Sequence, residues 1–142
     1  MSARIVRVKR LISAASSTVT ARERELAEAH RALEAREEVL ASAEADLESS
    51  SARWLDAASS DDLAQASARR RTLARRIELE RRAVEAARSK VRVCEDAALE
   101  ARRDERRLEL LVEGLEAGEA TRRKKVEQKV GDEHAARMGR NA

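Results

Sequence analysis

Apolar side chains recur along this chain with a period of seven. Ile5, Ile12, Val19, Leu26, Leu33, Leu40, Leu47 and Trp54 follow one another at that interval, and Val8, Ala15, Ala29 and Ala43 stand three positions after members of the series. A later stretch repeats the pattern. There Ile77, Val84, Val91, Ala98 and Val112 form one series, and Leu73, Ala87, Cys94, Ala101, Leu108 and Leu115 form the other. Residues so spaced line a single stripe of an α-helix, and a stripe that keeps the seven-residue period makes helices coil left-handedly about each other. The many small residues in the stripe predict a close approach of the two helices.

One convincing break separates the two stretches. Ser49, Ser50 and Ser51 precede the run Asp56-Ala57-Ala58-Ser59-Ser60-Asp61-Asp62. Ser59 or Ser60 can accept a bond from the first backbone N–H groups of a following helix, and Asp61 and Asp62 suit its positive end. The sequence therefore predicts an all-α protein, residues 1–142 forming one antiparallel coiled-coil hairpin. Its first helix runs over about 4–57, its turn over about 58–61 and its second helix over about 62–136. A short connection between long helices makes them antiparallel neighbours. Pairing residue i with about 119 − i places Leu26 near Val93, Leu40 near Leu79 and Ile5 near Gly114. Arg70, Glu80 and Glu105 fall at seam positions of the second helix, where buried stems with charges reaching water are the expected compromise.

That register leaves the second helix without a partner from about Glu119 onward. The seam turns polar there, at Glu119, Arg122 and Lys129, while Val126 and Val130 keep a small apolar patch. All four glycines (Gly114, Gly118, Gly131 and Gly139) also lie late in this helix, where each costs up to about 1 kcal/mol relative to alanine. A pliable, projecting helix is the expectation.

Composition narrows the class further. Of the 142 residues 42% are hydrophobic and 40% charged, with no Phe, Tyr or Pro, and Trp54 is the one aromatic. Little here fills a thick core, and the abundance of strong helix formers argues against disorder. No uncharged stretch approaches the roughly 20 apolar residues of a membrane span. A single cysteine, Cys94, supports neither a disulfide framework nor metal-ligand spacing, and its seam position makes it a small buried hydrophobe. The basic, serine-containing start faintly resembles a transit peptide but reads better as the opening of the first helix, so a cytoplasmic protein is expected. His30 and His134 lie on different helices, paired acids such as Glu37 and Glu38 lie on open helical surface, and a two-helix fold offers no catalytic cavity. The sequence predicts a protein that is not an enzyme, with no cofactor and no metal.

Charge is sorted along the chain. Residues 1–12 hold four basic and no acidic side chains, residues 13–118 hold 19 basic and 23 acidic, and residues 119–142 hold seven basic and four acidic. The hairpin brings both basic segments to one end, including Arg122-Arg123-Lys124-Lys125. Along the middle these charges are a solvated surface with pairs three and four residues apart; at the basic end they suit a docking surface. Nucleic acid is not expected, since no aromatic platform is interleaved with the basic residues. Near the turn, Trp54, Leu55, Leu63 and Leu73 gather as a second candidate contact, with Trp54 either a binding anchor or a cap on the hairpin core.

The segment Val126-Glu127-Gln128-Lys129-Val130-Gly131-Asp132-Glu133-His134-Ala135-Ala136-Arg137 resembles the C-terminal signature of the FliJ family, in which Glu-Gln-Lys, two spacers, Asp-Glu, a spacer and Ala end the second helix. The opening Ile5-Val6-Arg7-Val8-Lys9-Arg10-Leu11 is similar to the start of the YscO family, its injectisome counterpart. Length, two-helix layout and the longer second helix extend the likeness over nearly the whole chain. The resemblance implies a stalk of type III protein export that occupies the centre of a hexameric export ATPase, links it to the cytoplasmic ring of the export gate and handles export chaperones. By that likeness Glu127, Gln128, Lys129, Asp132 and Glu133 would belong to the ATPase-docking end, to which the sorting of charge adds Arg122, Arg123, Lys124 and Lys125, and the turn would meet the gate. Family members usually carry aromatics near the N-terminus and the turn; here Trp54 stands alone. The competing expectation is a coiled-coil chaperone or scaffold with no ATPase partner. Flagellum and injectisome remain equal at this point.

Overall fold

A computed structural model describes residues 2–55 and 59–141, with positions 54 and 55 described by their backbone alone. Two helices account for them: α1, Ala3–Leu55, and α2, Ser60–Arg140, with no strand among the described residues. The chain divides into two compact units, one of Met1–Thr20 with Glu100–Ala142 and one of Ala21–Leu99. In each unit a stretch of α1 lies antiparallel to a stretch of α2, so the fold is an antiparallel coiled-coil hairpin.

The seam drawn from the period of seven is the core. Every series member whose side chain is described is buried or half-buried. In the first unit Ile5, Val8 and Val112 are buried together, flanked by Ile12, Leu108 and Leu115. In the second, Ala29, Val91 and Cys94 are buried together, flanked by Leu26 and Leu33. These groupings put residue i opposite about 120 − i, one residue from the expected register. The slip turns the predicted neighbours outward, because one residue is about 100° around a helix. Val93 and Leu79 are exposed, and Cys94 rather than Val93 packs at the level of Leu26. Gly114 is likewise exposed, and Ile5 packs on Val112.

Both helix starts are capped by serine. The Ile5 backbone N–H donates to Ser2 Oγ at 3.3 Å, and the Asp62 N–H donates to Ser59 Oγ at 3.2 Å. Ser59, not Ser60, is therefore the cap of α2, with Asp61 and Asp62 in its first turn as the dipole favours. The first turn of α1 has no acidic residue of its own. Its anion comes from α2, where Glu119 Oε1 accepts the Ser2 N–H at 3.1 Å. Ser49, Ser50 and Ser51 stay helical, and Ser51 Oγ donates to the Leu47 carbonyl at 3.0 Å.

Ion pairs join the helices beside the seam. In the first unit Lys9 meets Glu116 at 3.1 Å. In the second, Arg88 meets Glu37 at 4.0 Å and Arg81 meets Glu44 at 3.6 Å, with the His30 imidazole 4.0 Å from Glu95 on the same flank. Exposed pairs of this kind contribute about 0–1 kcal/mol each.

Among the three charged residues of the α2 seam, Arg70 is exposed and Glu105 half-buried. Glu80 departs from the expected compromise. Its Oε2 is buried without a hydrogen-bond partner, and its nearest cation is Arg36 Nη1 at 3.9 Å. Two methylenes are too short a stem to carry a carboxylate from the seam to its rim, whereas Arg36, itself at a seam position of α1, is long enough to reach across. Glu80→Leu should therefore raise the stability of the hairpin by about 1 kcal/mol, since an apolar side chain removes a poorly compensated buried charge. Arg36→Leu should lower it by about 1 kcal/mol by leaving Glu80 without a cation. Urea denaturation followed by far-ultraviolet circular dichroism measures both, and equal signs would contradict the assignment.

Candidate functional site

Beyond Glu119, α2 continues as a helix with no stretch of α1 beside it. Every described residue from Ala120 to Asn141 is exposed, and the helix runs to Arg140, past the expected end near 136. Gly131 and Gly139 do not stop it, because neither has a positive φ. At about 1.5 Å per residue the free segment is ~30 Å long.

Its basic cluster surrounds the helix. Arg122, Arg123, Lys124 and Lys125 are consecutive, and steps of about 100° distribute four consecutive side chains around the full circumference. None of the four forms an ion pair with another described residue, nor do Glu127, Lys129, Asp132 or Glu133. No ion pair among the described residues ties down these side chains, and Glu127, Asp132 and Glu133 of the same helix offset the basic charge only in part.

The signature residues sort by face. Lys125, Gln128, Lys129, Asp132, Glu133 and Ala136 line one side of the helix, at steps of three and four. Glu127 falls about half a turn away from that side, so the structure does not group it with the other four signature residues. Val126 and Val130, 61% and 60% exposed, form a separate short apolar strip about a quarter-turn round. A single helix thus presents a mixed-charge side, an apolar strip and a cationic belt. All of these faces are open helical surface.

The second sequence-derived cluster is not gathered in this way. Leu63 is exposed in the first turn of α2, and Leu73 is half-buried in the seam. The side chains of Trp54 and Leu55 lie outside the described residues. Arg53, Arg69, Arg71 and Arg75, which the sequence reading passed over, are exposed in this region. Their signal was available: five of the eight residues Arg69–Arg76 are arginine. Also missed was the role of Glu119, read as a polar end of the seam and found to hold the N-terminus of α1.

No group of three His, Cys, Asp or Glu side chains among the described residues could hold a metal ion. Cys94 is a free, buried thiol in the seam. No helix of the described residues is long and apolar enough to cross a membrane.

The sequence model of the family described as "Flagellar FliJ protein" matches residues 4–142. No curated protein and no solved structure matches the chain.

A Cβ added at Gly118 or Gly131 would meet no atom within 4 Å, so neither glycine is needed for a close approach. Replacing each with alanine should stabilise the helix locally by up to about 1 kcal/mol. Hydrogen exchange of the backbone amides over 119–141 should slow about fivefold per substitution. Unchanged exchange would show that these glycines do not set the pliability of the segment.

Proposed function

Because the chain belongs to the flagellar FliJ protein family and is thereby a component of the flagellar export apparatus, we propose that it is the non-enzymatic central stalk and adaptor of that apparatus, with the free C-terminal segment of α2 docked inside the hexameric export ATPase. The observation that carries this reading is the segment from Ala120 to Asn141, helical and exposed on every side. A helix built to pack on one partner shows one wide apolar stripe. This one shows charge all round and only a two-valine strip, which suits a lumen that contacts it from all directions. The turn end would face the cytoplasmic ring of the gate, through Trp54, Leu55, Leu63 and Leu73, and export chaperones would use other surfaces of the hairpin. The protein acts at the cytoplasmic side of the apparatus.

The chemistry of docking follows from the unpaired charges. Arg122, Arg123, Lys124 and Lys125 would steer the helix toward an acidic lumen over a range set by the Debye length, about 10 Å at 0.1 M salt. Such steering acts on association more than on dissociation.

Truncation after Ala120 tests the placement, because it keeps Glu119 and its bond to Ser2. The truncated protein should melt as the full chain does yet fail to bind or stimulate the ATPase. Reversing charge at residues 122–125 should slow association at least tenfold at low salt, with a smaller change in dissociation. Full stimulation by the truncated protein would move the docking end elsewhere, whereas a full chain that neither binds nor stimulates the ATPase would favour a scaffold without an ATPase partner.

A further inference from the structure

The two flanks of the seam in the unit Ala21–Leu99 are built differently. One carries the Arg88–Glu37 and Arg81–Glu44 ion pairs and the His30–Glu95 contact, which close it with polar groups. The other is an open groove of about 510 Å³, floored by Ala29, Ala32, Ala86 and Cys94 and edged by Glu25 and Glu28 on α1 and Lys90 on α2. Leu79 and Val93 stand seven residues either side of Ala86, and Val39 stands seven after Ala32, so all three extend the groove's own faces. They are 63%, 67% and 36% exposed. Large aliphatics at such exposure, beside a floor of alanines, leave an apolar flank with no cover from its own chain. Ion pairs stand at its two ends, where Arg22 meets Glu25 at 3.1 Å and Arg76 meets Asp46 at 3.9 Å.

We propose that this flank is the contact between two copies of the chain, which associate as an antiparallel four-helix dimer. The charges of the groove select this occupant. Both acids lie on α1 and the base lies on α2. A two-fold axis parallel to the helices sets α1 of one copy against α2 of the other at the same height. Glu28 then comes within reach of Lys90 of the second copy, and the symmetry makes that pair twice. The same operation sets Ala35 opposite Ala86 and brings Val39 beside Leu79. The flank is thus complementary to itself in both charge and apolar content, as an isologous interface must be. The small floor residues let the pairs of helices approach closely. The flank spans about 20 residues of each helix, ~30 Å by ~20 Å, so the dimer buries on the order of 1,200 Å² in total. That is the lower end of specific interfaces, the size class of weak and transient association.

Sedimentation equilibrium of the full-length chain from about 1 to 500 µM tests the proposal, with circular dichroism confirming helicity for each variant. The wild type should pass from monomer to dimer over this range. Glu28→Lys and Lys90→Glu should each weaken dimerisation at least tenfold, because each sets like charges together twice. An equimolar mixture of those two variants should regain wild-type association, as every pair across the interface is again of opposite sign. Leu79→Glu with Val93→Glu should abolish association at unchanged helicity. A wild type that stays monomeric to 500 µM, a dimer indifferent to the Leu79 and Val93 substitutions, or charge variants that fail to rescue each other would overturn it.

Discussion

Two helices joined along one stripe have no second layer to fall back on, so the geometry of that stripe governs everything else in this protein. Its residues are mainly Leu, Val, Ile and Ala, and each buried valine is worth about 1.5–3 kcal/mol. Alanines at Ala29, Ala43, Ala98 and Ala101 contribute less apolar area, and they let the helices come close. The close approach makes the seam sensitive to rotation. A slip of one residue would carry Val91 and Cys94 out and bring Lys90 and Val93 in, so the register is fixed by the full set of positions and not by any one contact. The cross-helix pairs of Glu37, Glu44 and Glu95 with Arg88, Arg81 and His30 reinforce that register weakly, each being exposed. Glu80 and Arg36 reinforce it in another way, since a buried carboxylate has its cation in reach at only one offset.

The seam was legible in the sequence because a period of seven has one structural solution. Each series residue whose side chain is described occupies the position its spacing implies. The break at Ser59 was legible for a related reason, as serine followed by two aspartates offers both a cap and compensation of the dipole. The offset between helices was less so. Periodicity fixes which face of each helix is buried, but the exact pairing depends on turn geometry that the spacing does not encode, and the one-residue error follows. Long-range hydrogen bonds were not legible at all. Nothing in the spacing of Ser2 and Glu119 shows that a carboxylate from α2 would meet the start of α1.

The candidate site was legible in composition and only partly in arrangement. The cationic run and the polar turn of the seam correctly marked residues after Glu119 as lacking an α1 neighbour. Yet the signature residues look contiguous in sequence while the helix separates Glu127 from Gln128, Lys129, Asp132 and Glu133. The hydrophobic candidates near the turn show the converse limit. Leu73 is apolar because it belongs to the seam, so its hydrophobicity carried no separate message about binding.

The free end of α2 raises a question of stability that the seam cannot answer, because no tertiary contact supports it. An isolated helix of its length is marginal in water, chiefly because nucleating the first turn is unfavourable. Here the nucleus already exists: the segment extends a helix that begins at Ser60 and is held by packing as far as Leu115. Each added residue therefore requires only that propagation be favourable, which Ala, Glu, Arg, Lys and Gln satisfy. Gly118 lies at the junction, and Gly131 lies inside the segment, so each lowers propagation where no packing offsets it. Four consecutive basic residues add repulsion that water and salt must screen. The result is a helix ordered by continuity but weakly held, whose charges form no ion pair with another described residue. A binding partner that supplied acidic groups would remove the repulsion and the fraying together. Ordering of this end and binding of such a partner would then be linked, and the seam's contribution is to present the segment already helical at its base.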